Sequence, residues 1–190
     1  MICPLHAWGD ESIRTRGWSE PAYLLGASVV DTEDLAHTRE VLEGLRPTRG
    51  KLHWHDLNDR ERTEVEASIG RLRARHLIVV GSPADLRREE RARAVCLERL
   101  GWELGRLGVT VLTLEGRASA LEARDLRVVE ALRGRRIIPS SVRVRHGDPD
   151  VEPLLWLPDQ VLGAFGRARA EGRALGDTLR NTTETYHVEP

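Results

Sequence analysis

Four acidic positions in this 190-residue chain sit where their charge needs a purpose. Asp10 and Glu11 follow an apolar stretch and Gly9, at what reads as the end of a first strand. Ligands of α/β sheets collect at such strand ends. Glu115 closes the run Val109 to Glu115, the clearest buried-strand pattern in the chain. A charge there has to meet water, a partner or a metal. Asp159 follows Pro158, and proline favours the first helical position, which puts the aspartate in a helix's first turn. The helix dipole stabilises a carboxylate there, and the rigid helix start would fix the direction of a metal ligand. Each acid also has an ordinary structural reading, as a turn residue, a strand end reaching solvent or a first-turn helix acid. Asp125, one turn beyond Leu121 on a helix, is either a partner of Arg124 or Arg127 or a support for the other acids.

Two histidines add a further possibility. His53 and His55, in His53-Trp54-His55-Asp56, share one face if the segment is extended. Zinc would want a third and fourth ligand, and neither a Cys-x-x-Cys pair nor a following histidine supplies them. Packing beside Trp54 is the structural alternative. His146, just past Arg143 and Arg145, reads as a lone loop histidine.

The elements that must position these residues follow from hydrophobic spacing. Strands are expected near residues 2–8, ended by Gly9, and 22–30, with a hairpin connection from Asp10 to Pro21. Further strands are expected near 77–81, 109–115 and 140–145. Asp31 or Thr32 caps a helix carrying Leu35, Thr38, Leu42 and Leu45, ended by Pro47 and Gly50. Lys51 to Asp56 reads as extended. Asn58 or Asp59 caps a helix with Val65, Ile69 and Leu72 on one face. Pro83 opens a long helix with the stripe Cys96, Leu100, Leu104 and Leu107, capped by Gly108. Further helices run from about Ala118 to Arg133 and onward from near Pro158. This alternation predicts an α/β domain over residues 1–170. Its mixed sheet has an antiparallel N-terminal hairpin, then parallel βα units, with helices on both faces. Residues 171–190 are polar and without periodicity, which predicts a loosely packed tail.

Composition narrows the classes. Hydrophobic residues make up 40% and charged residues 31%, as in a soluble globular protein. The net charge of −1 excludes a generally basic nucleic-acid coat protein. Of 29 basic residues only Lys51 is a lysine. Arginine clusters such as Arg87, Arg88, Arg91 and Arg93 read as a solvated helix face or as phosphate grips. No apolar run approaches the roughly 18–20 residues that span a bilayer, so no membrane is expected. Met1 to Asp10 lacks the features of a signal peptide. Cys3 and Cys96 read as buried thiols in a reducing cytoplasm. Nothing in the pattern sets an oligomeric state.

The same residues carry a resemblance to a known family. Asp10-Glu11-Ser12 resembles the D-E-S-G start of the DUF3800 proteins, and Tyr23-Leu24-Leu25-Gly26-Ala27 their second strand. Lys51-Leu52-His53 resembles their histidine segment. Leu155 to Ala164, with Asp159 and Gly163, is similar to their terminal L-Q-x-A-D-x-x-x-G-A helix. Here Ile13 stands in place of glycine, and Pro158 in place of a small residue. The resemblance spans roughly residues 5–168 and implies a ribonuclease H-like fold with an acidic metal cluster. Carried over, Asp10 and Asp159 become metal ligands, Glu115 the middle carboxylate, and Glu11, with His55 and Asp125, outer partners. Such a cluster holds magnesium or manganese, hard ions that prefer carboxylate oxygens, and two ions are expected. They would stabilise charge on the attacking and leaving oxygens of a phosphodiester. His53 could then move a proton, since imidazole titrates near neutral pH. The expected activity is a metal-dependent nuclease acting on nucleic acid. The alternatives are a non-catalytic nucleic-acid or protein-binding module on the same fold, or a small phosphoester hydrolase.

Overall fold

The computed structural model describes residues 5–46 and 50–190. Cys3, Pro47 and the start of the expected first strand lie outside the described residues. Six strands form one mixed sheet: β1 (Leu5–Arg14), β2 (Ala22–Asp31), β3 (Ala74–Gly81), β4 (Val109–Glu115), β5 (Arg143–Gly147) and β6 (Thr183–Val188). Their spatial order is β5-β4-β1-β2-β3-β6. β1 and β3 pair antiparallel with β2, while β4 lies parallel to β1, β5 to β4 and β6 to β3.

Helices cover both faces. α1 (Leu35–Leu45), α2 (Asp59–Ile69), α5 (Trp156–Ala170) and α6 (Asp177–Thr182) pack on one side. α3 (Glu89–Arg106) and α4 (Ser119–Gly134) pack on the other. The central strand β2 shows why two layers are needed. Its even residues Ala22, Leu24 and Val30 join the first core, and its odd residues Tyr23, Leu25, Ala27 and Val29 join the second. A strand buried on both faces reads as a continuous apolar run, not an alternation.

Local signals act as expected in several places. Asn58 accepts from the Arg60 and Glu61 backbone N–H groups while Glu61 reaches back to the Asn58 N–H, a complete capping box. Gly108, at φ +80°, takes the left-handed conformation that ends α3.

Several boundaries differ from expectation: β3 starts at Ala74, β5 ends only at Gly147 and so takes in His146, expected in a loop, and α5 starts at Trp156, two residues before Pro158. β1 runs through Gly9 to Arg14, because ladders to β2 and β4 flank the glycine on both sides. Asp10 and Glu11 therefore lie within a strand and not in a turn. The helix after Pro83 begins only at Glu89, behind a 3-10 turn at Leu86–Arg88. Within Lys51 to Asp56, residues Trp54–Asp56 close a 3-10 turn. The expected loose tail instead contains α6 and β6. Leu179 enters the first core, and β6 forms an edge of the sheet beside β3. Alternation in Thr183-Glu-Thr-Tyr-His-Val is the strand signal that tail carried.

Candidate active site

The alternation of β1 sends its two acids in opposite directions. Asp10 shares the face of Trp8, toward α5, whereas Glu11 shares the face of Ala7, toward α3. On the neighbouring parallel strand, Gly9 pairs with Leu114, so the next pair is Asp10 and Glu115. Partners in a parallel ladder point to the same face, and adjacent strands lie about 4.8 Å apart. The two carboxylates are thus side by side by topology.

The third carboxylate comes from above. α5 lies across β1 and β2, and its approach depends on Gly26, the residue opposite Asp10. A Cβ there would stand 2.9 Å from Leu162 Cδ2 and 3.0 Å from its Cγ, so a larger residue would have to displace that side chain. Upstream, Arg39 on α1 grips Glu152 with two hydrogen bonds of 3.0 and 2.9 Å, fixing the approach to the helix. Trp54 N–H donates to Asp159 Oδ2 at 2.8 Å, and Gln160 Nε2 donates to the same oxygen at 2.9 Å and to the Leu52 carbonyl at 3.2 Å. Asp159 and Gly163 lie one turn apart on α5, and Gly163 faces the Trp54 ring so closely that any Cβ would overlap it. The spacing Asp-x-x-x-Gly therefore clamps Trp54 by its backbone and its ring.

Asp10, Glu115, Asp159, Lys51, His53 and His55 all line one open cleft of about 370 Å³. Lys51 Nζ donates to Glu115 Oε1 at 2.9 Å. Unlike Glu115 and Asp159, the Asp10 carboxylate has no hydrogen-bond or ion-pair partner among the described residues. Burial raises the Asp10 pKa well above the usual carboxylate range, and the charges of Asp159 and Glu115 push it further, against Lys51 and Arg93. Burial also raises Asp159, with Glu115 adding to the shift, against the Trp54 N–H, His53 and Lys51. Burial opposes the charge on Lys51, but Glu115, Asp10 and Asp159 outweigh it and hold the ammonium above its ordinary pKa. Among the described residues, no three His, Cys, Asp or Glu side chains gather closely enough to ligate one metal ion as they stand.

Glu11 and Asp125 do not join this carboxylate set. Glu11 touches the rim of the cleft, but its carboxylate is held by Arg93 and Arg117. Asp125 accepts from Arg93 Nε and Nη2 at 2.8 and 2.7 Å and bonds His146 Nε2 at 3.0 Å, not Arg124 or Arg127. Burial would raise the Asp125 pKa, yet Arg93, His146 and Arg117 hold it below the usual range. Arg93, expected on a solvated face, is only 2% exposed and also donates to Tyr23 Oη at 3.1 Å. This ion-paired cluster braces β1 against α3 and α4 from behind. Sequence reasoning missed Trp54, Gln160 and Lys51 as parts of the site. For Lys51 a signal existed: it is the one lysine among 29 basic residues.

His53 and His55 stand at the mouth, with ring centroids 5.5 Å apart, and the His55 backbone N–H donates to His53 Nδ1 at 3.3 Å. Cys96 is a free, buried thiol far up its titration range, pushed to about 12 by burial. Among the described residues, no helix is long and apolar enough to cross a membrane.

No protein-family model matches the sequence, and comparison with curated proteins gives no match. Solved structures do match in shape. Ribonuclease H2 from Pyrococcus horikoshii OT3 is similar with a TM-score of 0.58 at 11% identity, over 87% of this chain and 74% of that one. A chain in the structure of the PCNA:RNase HII complex from Archaeoglobus fulgidus is similar with a TM-score of 0.56 at 15% identity, over 93% and 85%. The mixed six-stranded sheet with helices on both faces is a ribonuclease H-like fold.

Proposed function

We propose that this protein is a metal-dependent nuclease that hydrolyses phosphodiester bonds, with Asp10, Glu115 and Asp159 as its acidic centre. One observation carries the reading. β1, β4 and α5 bring three carboxylates, far apart in sequence, into one cleft of a ribonuclease H-like fold. Membership in the DUF3800 family belongs to the same proposal and rests on the motifs around Asp10, Lys51 and Asp159.

The donor set suits a hard divalent cation. It consists of carboxylate oxygens without a thiolate, and a bound cation would offset the burial and the repulsion that together raise Asp10 and Asp159. Asp10 and Asp159 are the residues that would hold magnesium or manganese, which when bound supplies electrostatic stabilisation to a phosphodiester under attack. The chain's own residues do the remaining work. Trp54 N–H and Gln160 Nε2 fix Asp159 Oδ2, so that carboxylate keeps its direction. His53, at the cleft mouth beside Asp159, is placed to exchange a proton with a leaving group or water.

The test is the purified full chain assayed on single-stranded RNA, single-stranded DNA and an RNA–DNA hybrid, with magnesium, manganese or chelator. Asp10→Asn should lower cleavage by at least about 10²-fold, because several kcal/mol of transition-state stabilisation depend on the held charge. His53→Ala should cost roughly 10²–10⁴-fold if it moves the proton. Cleavage that survives chelation, or full activity in Asp10→Asn, refutes the mechanism. Turnover of small phosphoesters alone would make the protein a phosphoester hydrolase.

A further inference from the structure

Lys51 is the one lysine in a chain that otherwise uses arginine for every basic position. It is also the residue whose cation stands among the three carboxylates of the cleft. Its Nζ lies 2.9 Å from Glu115 Oε1, and its charge is felt by both Asp10 and Asp159. The two cationic side chains differ in what they can do here. A guanidinium is a planar fork that engages one carboxylate with two parallel bonds. An ammonium is a compact point charge with three rotatable donors, which serves several oxygens arranged around it. In shape and charge density it is the side chain nearest to a small metal ion.

We propose that Lys51 is a built-in cation of the acidic centre. It occupies the place of a second divalent ion at Glu115, so that the site takes a single divalent ion, held by Asp10 and Asp159. The inference rests on the reading of Asp10, Glu115 and Asp159 as a cation-holding cluster, and it revises the expectation of two ions. Three observations fit together. Glu115 already has a cationic partner, Asp10 has none, and no three acidic or histidine side chains close around a common point among the described residues. Glu115 and Lys51 are each about one-quarter exposed, so the pair is neither sealed off nor a free surface contact.

Two measurements on the purified full chain test this. The first counts bound Mn²⁺ from the electron paramagnetic resonance signal of the free aqueous ion. Wild type should bind one ion per chain. Asp10→Asn and Asp159→Asn should abolish that binding. Lys51→Met should bind a second ion, and adding Glu115→Gln to it should remove that ion again. The second measurement uses the uniqueness of the lysine. An acylating ester has only the α-amino group and Lys51 Nζ to modify, and mass spectrometry separates the two. Glu115→Gln should speed Lys51 acylation about fivefold, the factor expected for a partly exposed ion pair. Mn²⁺ should not speed it in wild type. Two ions in wild type, or faster Lys51 acylation when Mn²⁺ binds, overturns the proposal while leaving the acidic centre a metal site. No Mn²⁺ bound by wild type or by Lys51→Met refutes the acidic centre itself, and the lysine's role with it. Should Lys51→Met fail to fold by circular dichroism, the wild-type count and the acylation rates still decide.

Discussion

Gly163→Ala tests the clamp that holds the third carboxylate. Two effects of opposite sign compete at this position. Alanine is the better helix former, by about 1 kcal/mol in a helix interior. If the helix and the 54–56 turn were loosely apposed, the substitution would stabilise the protein. In the structure, however, the added Cβ overlaps Trp54 ring carbons. Trp54 is buried, so its ring cannot simply swing into solvent. Overpacking of this kind costs about 1–3 kcal/mol, and the net change is a destabilisation approaching 2 kcal/mol at its larger end. For a chain of this size each kcal/mol corresponds to about 2–4 °C in melting temperature. A displaced ring would pull on its own backbone, and the Trp54 N–H donates to Asp159 Oδ2 at 2.8 Å. Metal affinity and cleavage should therefore fall together with stability. Thermal melts of Gly163→Ala, Trp54→Leu and the double variant form the assay. In the Trp54→Leu background the alanine should cost less than in wild type or turn stabilising, a coupling of about 1 kcal/mol or more. A Gly163→Ala protein that melts higher than wild type, with unchanged tryptophan fluorescence, would refute the clamp.

Three other outcomes follow from buried charge. Asp10→Asn should melt higher than wild type in chelator at pH 7–8. The raised Asp10 pKa means that its favourable contribution exists at low pH and is lost as pH rises through the folded value, so the gap should close in acid and also when Mn²⁺ is added. His76 is fully buried beside Ser28 Oγ at 2.9 Å, with its pKa lowered to about 4 by burial. Its contribution is complete above pH 6.5 and disappears as pH falls toward 4, a loss of about 3 kcal/mol. His76→Gln should flatten the melting curve over that window, and parallel pH profiles for the two proteins would contradict the assignment. Arg93→Met should cost up to about 3–5 kcal/mol, because it removes the buried partner shared by Asp125 and Glu11 and leaves only Arg117, with His146 at Asp125, to compensate them. Asp125→Asn in that background should recover part of the loss in melting temperature.

The sequence made the order of elements readable because each strand and helix carries a strong local pattern. β2 and β4 are apolar runs, and α2 announces itself with Asn58 and Glu61. Where packing overrides local signals, reading failed. Gly9 looks like a stop, but two neighbouring strands carry β1 through it. The Thr183–Val188 stretch is short and mostly polar, with Glu184, Thr185 and His187 exposed, and its pairing with β3 makes it a strand. The acids Asp10, Glu115 and Asp159, which line one cleft, could be singled out in the sequence because they interrupt apolar patterns. The residues that orient them were not. Trp54 contributes a backbone N–H and Gln160 an amide bridge, and neither function leaves a mark on residue type.

The Asp10-Glu11 pair shows what the fold adds to the motif. Read as a string, two adjacent acids suggest one function shared between them. Within a strand, adjacent residues belong to opposite faces, so the fold must divide them. Asp10 is delivered to a cleft where no side chain of the described residues bonds its carboxylate, and where burial and two like charges oppose its ionisation more than Lys51 and Arg93 favour it. Glu11 is delivered to Arg93 and Arg117, which neutralise it and tie β1 to α3 and the start of α4. The arrangement is mechanically consistent. An acid held in an unfavourable electrostatic setting needs a strand that does not yield, and the neighbouring acid provides the anchorage on the far side. Weakening the anchor at Arg93 should thus loosen Asp10, and it also removes a positive charge that favours the Asp10 carboxylate from behind the strand. Metal affinity should fall in Arg93→Met even at temperatures where the fold is intact, and should be restored in part by Arg93→Lys. Unchanged Mn²⁺ affinity in a folded Arg93→Met protein would show that the two faces of β1 act independently.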